Sequence, residues 1–173
     1  HEVAGTVIDG SDESLKRWGI TIGDRISPEP YLPCNECDQC LQGNYHMCVE
    51  DRLYGITLST DIEPGVYGGY GEYMYLHPKS RVHAVNDDVS AKAACLSSVV
   101  GNGVRWISRK GQVDPGESVA IIGPGAQGLA STIVAREAGA DPLVVMGLPS
   151  DDENLKIAAN IGATHTFYSD GSS

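Results

Sequence analysis

The sequence predicts an α/β chain in two parts, a β-rich part over residues 1–87 followed, over 88–173, by the first half of a doubly wound parallel sheet. Three observations predict it. Short apolar runs at Ser118–Ile122 and Leu143–Met146 alternate with stretches of helical periodicity. The first run ends directly in a glycine-rich turn, Gly123-Pro124-Gly125-Ala126-Gln127-Gly128. Ahead of both, a Pro-, Gly- and Asn-rich lobe over about residues 28–71 lacks periodicity and holds four of the five cysteines.

Taken in order, Glu2–Asp9 alternates Val3, Gly5 and Val7 against Ala4, Thr6 and Ile8 and is read as a strand, and Gly23–Ser27 as a turn into a short second strand. After the irregular lobe, Gly71–Leu76 and Arg81–Val85 are expected as strands. Ser90 is expected as the N-cap of a helical region that runs through Trp106 and stops near Lys110-Gly111. The run Ser118–Ile122 is expected as a strand buried on both faces. Leu129, Ile133, Val134 and Ala138 mark the inner face of the next helix, which Gly139 closes. Leu143–Met146 is a second buried strand, and Ser150-Asp151-Asp152-Glu153 reads as a capping box leading to Leu155, Ala158 and Ala159. Thr164–Tyr168 completes a βαβαβ pattern.

The 23 acidic against 12 basic residues give a net charge of -11, which repels nucleic-acid phosphates and anionic lipid and argues against either as a partner. No stretch approaches the roughly 20 apolar residues that cross a bilayer, and the start of the chain lacks the pattern of a signal peptide. A soluble, cytoplasmic protein is expected. Because the chain begins without methionine and inside a predicted strand, an incomplete natural sequence is also expected.

Cys34, Cys37, Cys40 and Cys48 form a C-x2-C-x2-C-x7-C pattern. Two-residue spacers let a bent backbone turn successive sulfurs toward one point, as a tetrahedral zinc requires at about 2.3 Å. The pattern favours a closed structural zinc site over two disulfides, an iron–sulfur cluster or unrelated thiols. His46, inside the pattern, is a conceivable competitor, although four cysteines already fill the shell.

The G-x-G-x-x-G turn stands between a buried strand and an amphipathic helix. Gly123 permits the tight turn, Gly125 the close approach of backbone to a pyrophosphate, and Gly128 the packing of the helix; the helix N-terminus at Ala126 and Gln127 supplies amides. A dinucleotide, NAD or NADP, is the expected ligand. The acid that would receive the ribose hydroxyls is expected about 20 residues on, where this chain has Gly147, followed by Leu148, Pro149 and Ser150 without an arginine. Asp151 and Asp152 are alternative partners for the ribose or simply first-turn helix acids, and the choice of cofactor stays open.

The cysteine pattern, following Gly23-Asp24-Arg25 and preceding Gly69-Tyr70-Gly71-Glu72-Tyr73, with the glycine turn behind it, resembles the zinc-containing medium-chain dehydrogenases, which include alcohol, sorbitol and threonine dehydrogenases. The resemblance covers essentially the whole chain and implies a GroES-like catalytic domain and a Rossmann domain, both partial, with family segments missing on either side. It implies hydride transfer between an alcohol or polyol, or the matching carbonyl, and NAD(P), in a homodimer or homotetramer. His1-Glu2 before Val3-Ala4-Gly5 resembles the Gly-His-Glu motif, whose histidine binds a catalytic zinc beside the glutamate. The position where alcohol dehydrogenases carry a further cysteine ligand falls on Ser98 here, with Cys95 three residues earlier expected as a buried, unliganded cysteine. Sorbitol-type relatives also lack that cysteine. The chain on its own is therefore expected to be inactive. The competing expectation is a zinc-stabilised dinucleotide-binding module or sensor without dehydrogenase chemistry.

Overall fold

The computed structural model describes residues 1–169. Its contacts group the chain into two units, His1–Ser98 and Val99–Ser173, a division that falls later than the expected one at residue 87.

In the first unit, β1 (Gly5–Thr6), β2 (Arg25–Pro28) and β3 (Val82–Ala84) form an antiparallel sheet in that order, with Gly5 opposite Ile26 and Ser27 opposite His83. The strand expected over Glu2–Asp9 is thus only two residues long. Between β1 and β2 stands a helix that periodicity did not reveal, α1 (Asp12–Trp18). Its seven residues are too few for a pattern, but its ends carry clear signals. The Ser11 side chain accepts from Ser14 N, Asp12 and Glu13 occupy the first turn, Lys16 and Arg17 the last, and Gly19 closes it at φ +67°. Leu15 and Trp18 pack with Val82 against buried Val7, Ile20 and Ile26.

The lobe, which carries the short helix α2 (Asp38–Leu41), is less irregular than expected. Leu32, Tyr54 and Tyr67 are buried together, with Leu58, Met74 and Leu76 packed against them. The Tyr54 hydroxyl lies 2.6 Å from Ser80 Oγ and accepts from His77 N at 2.8 Å, which satisfies a polar tip at the centre of an apolar cluster. The strand expected over Gly71–Leu76 does not form. Its alternating residues serve packing instead: Met74 and Leu76 turn toward the cluster, Tyr75 stands edge-on to Tyr67 at 5.9 Å, and Tyr73 is exposed. Tyr70 is also fully exposed.

Ser90 caps α3 (Ala91–Ala94) by accepting from Ala93 N, but the predicted long helix is interrupted. It resumes as α4 (Ser97–Val104) and continues as a π-helical segment over Arg105–Lys110, where Arg105 and Arg109 are exposed.

In the second unit, β4 (Val119–Ile122), β5 (Leu143–Gly147) and β6 (His165–Tyr168) form a parallel sheet with Ile121 beside Val145 and Val145 beside Thr166. The crossovers are α5 (Ala126–Glu137) and α6 (Asp152–Ile161). Ile121, Leu143 and Val145 meet Ala135, Leu155 and Ala158 in one core cluster. Only that face of β4 is covered among the described residues. Ala120 is exposed and Ile122 is 84% exposed, so the expectation of burial on both faces is corrected. Of the expected inner face of α5, Val134 is buried and Leu129 packs against the core, while Ile133 is exposed and Ala130 and Ala135 are buried in addition. Close packing accounts for the small residues: a Cβ on Gly103 of α4 would come within 3.0 Å of the Ala130 carbonyl oxygen. Asp151 rather than Ser150 takes the N-cap position of α6, without a side-chain cap; its Oδ2 accepts from Leu148 N at 2.9 Å across the preceding 3-10 turn, and Ala159 is exposed.

Candidate functional sites: a four-sulfur cluster and a glycine turn

The four cysteines of the lobe converge. Cys34 precedes a turn in which Asn35 takes φ +65°, Cys37 is the N-cap of α2, Cys40 lies within α2, and Cys48 ends a 3-10 turn over Tyr45–Met47. Their four sulfurs lie within 4.8 Å of one another, and all are free thiols. A tetrahedron with metal–sulfur bonds of about 2.3 Å has sulfur–sulfur edges of about 3.8 Å, and the Cys34–Cys40 separation is 3.8 Å. The cluster fits a structural zinc. His46 is not part of it; its ring stands edge-on to Tyr31 at 6.3 Å.

Backbone amides prepare the sulfurs for that role. Cys34 Sγ accepts from Cys37 N at 3.3 Å and Glu36 N at 3.4 Å. Amides of Val49 and Cys40 hold the Cys37 thiol down at about 6, against burial. Burial pushes Cys40 up to about 11, opposed by the amide of Asn35. Burial also acts upward on Cys48, but the amides of Cys34 and Glu50 and the neighbouring sulfurs outweigh it, leaving the thiol below its ordinary value. Four thiolates crowded at this distance repel one another, and a divalent cation between them removes that repulsion. Lys79 adds a positive charge, its Nζ 2.8 Å from the Cys34 carbonyl oxygen.

The second site is built from backbone. Gly123 takes φ +92°, and its N donates to Met146 O at 2.8 Å, so the chain reverses at the end of the parallel sheet. Gly125 is the N-cap of α5 with no side-chain cap, so the first-turn amides of Ala126, Gln127 and Gly128 have no intrahelical acceptor. A Cβ on Gly125 would meet nothing within 4 Å, whereas one on Gly128 would be driven onto the Gly123 carbonyl oxygen. The two glycines therefore have opposite reasons: Gly128 lets the helix press on the turn, and Gly125 leaves open space over the amides. An uncapped helix start below open space is the arrangement a pyrophosphate requires.

Gly147 ends β5 with its Cα against the turn. Beyond it, Asp151 caps Leu148, and Asp152 is bound by Lys156 Nζ at 2.7 Å and by the Tyr168 hydroxyl. Lys156 first and Tyr168 second hold the Asp152 carboxyl below its ordinary range.

At the chain's start, His1 Nδ1 lies 3.8 Å from Glu2 Oε1, and both side chains are partly exposed. Among the described residues, only the four cysteines bring three or more metal-ligating side chains to one point, so His1 and Glu2 stand as a pair. Ser98 is half-buried on α4. Cys95, expected buried, is half-buried at the break between α3 and α4, where its thiol donates to Lys92 O at 3.0 Å. The break separates Cys95 from Ser98, so they do not occupy successive turns of one helix.

A family model described as the alcohol dehydrogenase GroES-like domain matches residues 1–87. A protein named probable alcohol dehydrogenase from Mycobacterium tuberculosis is 40% identical over 167 residues, covering 94% of this chain and 45% of the relative. The erythritol/L-threitol dehydrogenase of Mycolicibacterium smegmatis is 32% identical over 167 residues, covering 96% of this chain and 44% of the relative. The crystal structure of an alcohol dehydrogenase from Thermotoga maritima superposes with a TM-score of 0.85 at 27% identity, covering 100% of this chain and 48% of that one. The chain thus spans less than half the length of these relatives. No helix among the described residues is long and apolar enough to cross a membrane.

Proposed function

Since the chain belongs to the alcohol dehydrogenase GroES-like family, we propose that the complete protein is a zinc-dependent oxidoreductase transferring hydride between an alcohol or polyol, or the matching carbonyl, and NAD or NADP. The observation that carries the reading is the open space over Gly125 at an uncapped helix start. A sulfur-bound metal staples proteins of many activities, but a turn cleared of side chains beside a parallel strand end serves a phosphate-bearing ligand.

Within this reading Cys34, Cys37, Cys40 and Cys48 hold a structural zinc that keeps the lobe folded. Gly123, Gly125, Ala126, Gln127 and Gly128 receive the pyrophosphate, and Gly147 borders the adenosine ribose. His1 ligates a catalytic zinc, with Glu2 beside it. A bound catalytic zinc supplies Lewis acidity that lowers the pKa of the alcohol oxygen. His1 and Glu2 are two donors where catalytic sites use about three protein ligands, so the remaining ligation comes from outside these residues. We place the domain boundary at residue 87, where the family match ends, and assign a cytoplasmic homodimer or homotetramer.

One observation favours a second reading, a zinc-stapled dinucleotide-binding module without dehydrogenase chemistry: serine, a poor zinc ligand, occupies position 98. Nicotinamide absorbance, followed for the complete protein with a panel of alcohols and polyols before and after chelation, separates the two. Two zinc ions per subunit and turnover lost on chelation are expected. One zinc ion and no turnover with any member of the panel would establish the second reading.

A further inference from the structure

We infer that Pro124 and Gly147 form a coupled pair that keeps a carboxylate off the end of β5, so that the protein binds NAD and NADP with affinities within about tenfold of each other. The inference rests on the proposed dinucleotide site. A carboxylate on the residue ending this strand bonds the ribose hydroxyls of NAD and repels the extra phosphate of NADP. Here that residue has no side chain, and its surroundings explain why.

A Cβ on Gly147 would lie 2.8 Å from Pro124 Cδ, 2.9 Å from Pro124 Cγ and 3.2 Å from Asp151 Cβ. Separations under about 3 Å require something to move, and the proline ring has nowhere to go. Pro124 is fully buried, its φ is locked by its own ring, and the preceding Gly123 is tied through its N to Met146 O at 2.8 Å. Filling the middle of the glycine turn with proline thus dictates glycine at the end of the neighbouring strand.

The carboxylates of the following loop are engaged in the loop's own contacts. Asp151 spends Oδ2 on Leu148 N, at 2.9 Å. Asp152 is held by Lys156 Nζ at 2.7 Å and by the Tyr168 hydroxyl, and Glu153 by the same Lys156 at 2.8 Å. Lys156, the basic residue of this segment, pairs with both of these carboxylates. The strand end itself therefore carries neither an acid to bond the ribose hydroxyls nor a base to bond the extra phosphate of NADP.

The test is equilibrium titration of the complete protein with NAD and with NADP, together with thermal unfolding of each variant. Wild type should bind both with dissociation constants within about tenfold. Gly147→Asp should weaken both and lower the unfolding midpoint, because the new side chain displaces the turn. Pro124→Ala/Gly147→Asp, which removes Cγ and Cδ, should regain NAD affinity and shift the ratio toward NAD by at least about tenfold, with Pro124→Ala alone as the folding control. A wild-type ratio beyond tenfold in either direction overturns the inference, as does Gly147→Asp gaining NAD preference at undiminished affinity. Wild type that binds neither dinucleotide overturns the parent reading and this inference together, an outcome distinct from the other two.

Discussion

The cysteine lobe and the glycine turn are both sites for a ligand, yet they are built in opposite ways. In the lobe, side chains converge: four sulfurs meet within 4.8 Å, steadied by backbone amides, in an arrangement that fits one bound cation. At the turn, side chains withdraw: Gly123 bends, Gly128 lets α5 approach, and Gly125 leaves its space open. The first site should therefore be inseparable from folding, and the second separable from it.

That contrast is open to attack, beginning with the largest expected effect. Cys48→Ser removes one of four sulfurs. Structural zinc binding contributes about 10–16 kcal/mol in small zinc-dependent folds, so the variant should lose its metal and expose the lobe to proteolysis. Metal analysis with limited proteolysis checks this; a wild-type chain without zinc and with two disulfides would remove the basis of the comparison. Gly128→Ala comes next. Its Cβ would strike the Gly123 carbonyl oxygen, and the second unit should lose about 3 kcal/mol by denaturant unfolding. Gly125→Ala should be close to neutral in the same experiment, since its Cβ meets nothing.

Tyr54→Phe probes whether the lobe has a core of its own beside the metal. It strips the buried hydroxyl from Ser80 and from His77 N, leaving that amide unpaired, and should cost about 1–3 kcal/mol with zinc content unchanged. The smallest effect concerns pH. Burial first, then the charges of Arg52 and Lys79, hold the His77 imidazole below its ordinary value. The unfolded chain therefore takes up this proton more readily. Stability from this group is fully present above an unfolded pKa of about 6.5 and is lost as pH falls from there through the lower folded value. The drop in unfolding midpoint between about pH 7.5 and pH 5.5 should be smaller in His77→Gln than in wild type.

Both sites are legible in the sequence because each rests on residue types whose spacing serves few other purposes. Cys34 to Cys48 announce a metal through what they carry, and Gly123 to Gly128 announce a phosphate through what they lack. The rest resists reading where the determinant is distant or short. Helix α1 spans seven residues, fewer than a periodic pattern needs, and only its caps betray it. The segment 71–76 alternates as a strand does, but a strand requires a partner, and here the alternation serves the cluster of Leu32, Tyr54 and Tyr67. Ile122 looks like a residue of a doubly covered strand, yet coverage depends on which helices lie over it. The amides aimed at the cysteine sulfurs and the contact between Pro124 and Gly147 belong to the folded backbone and have no sequence signature.

The most direct test of the central claim is a calorimetric titration of NAD and NADP into the complete protein and its Gly125→Asp variant. This substitution adds bulk and negative charge to open space without touching the core. Dinucleotide binding should disappear while the unfolding midpoint and zinc content stay at wild-type values. Undiminished affinity for both dinucleotides in the Gly125→Asp variant would contradict the assignment of this turn as the pyrophosphate site.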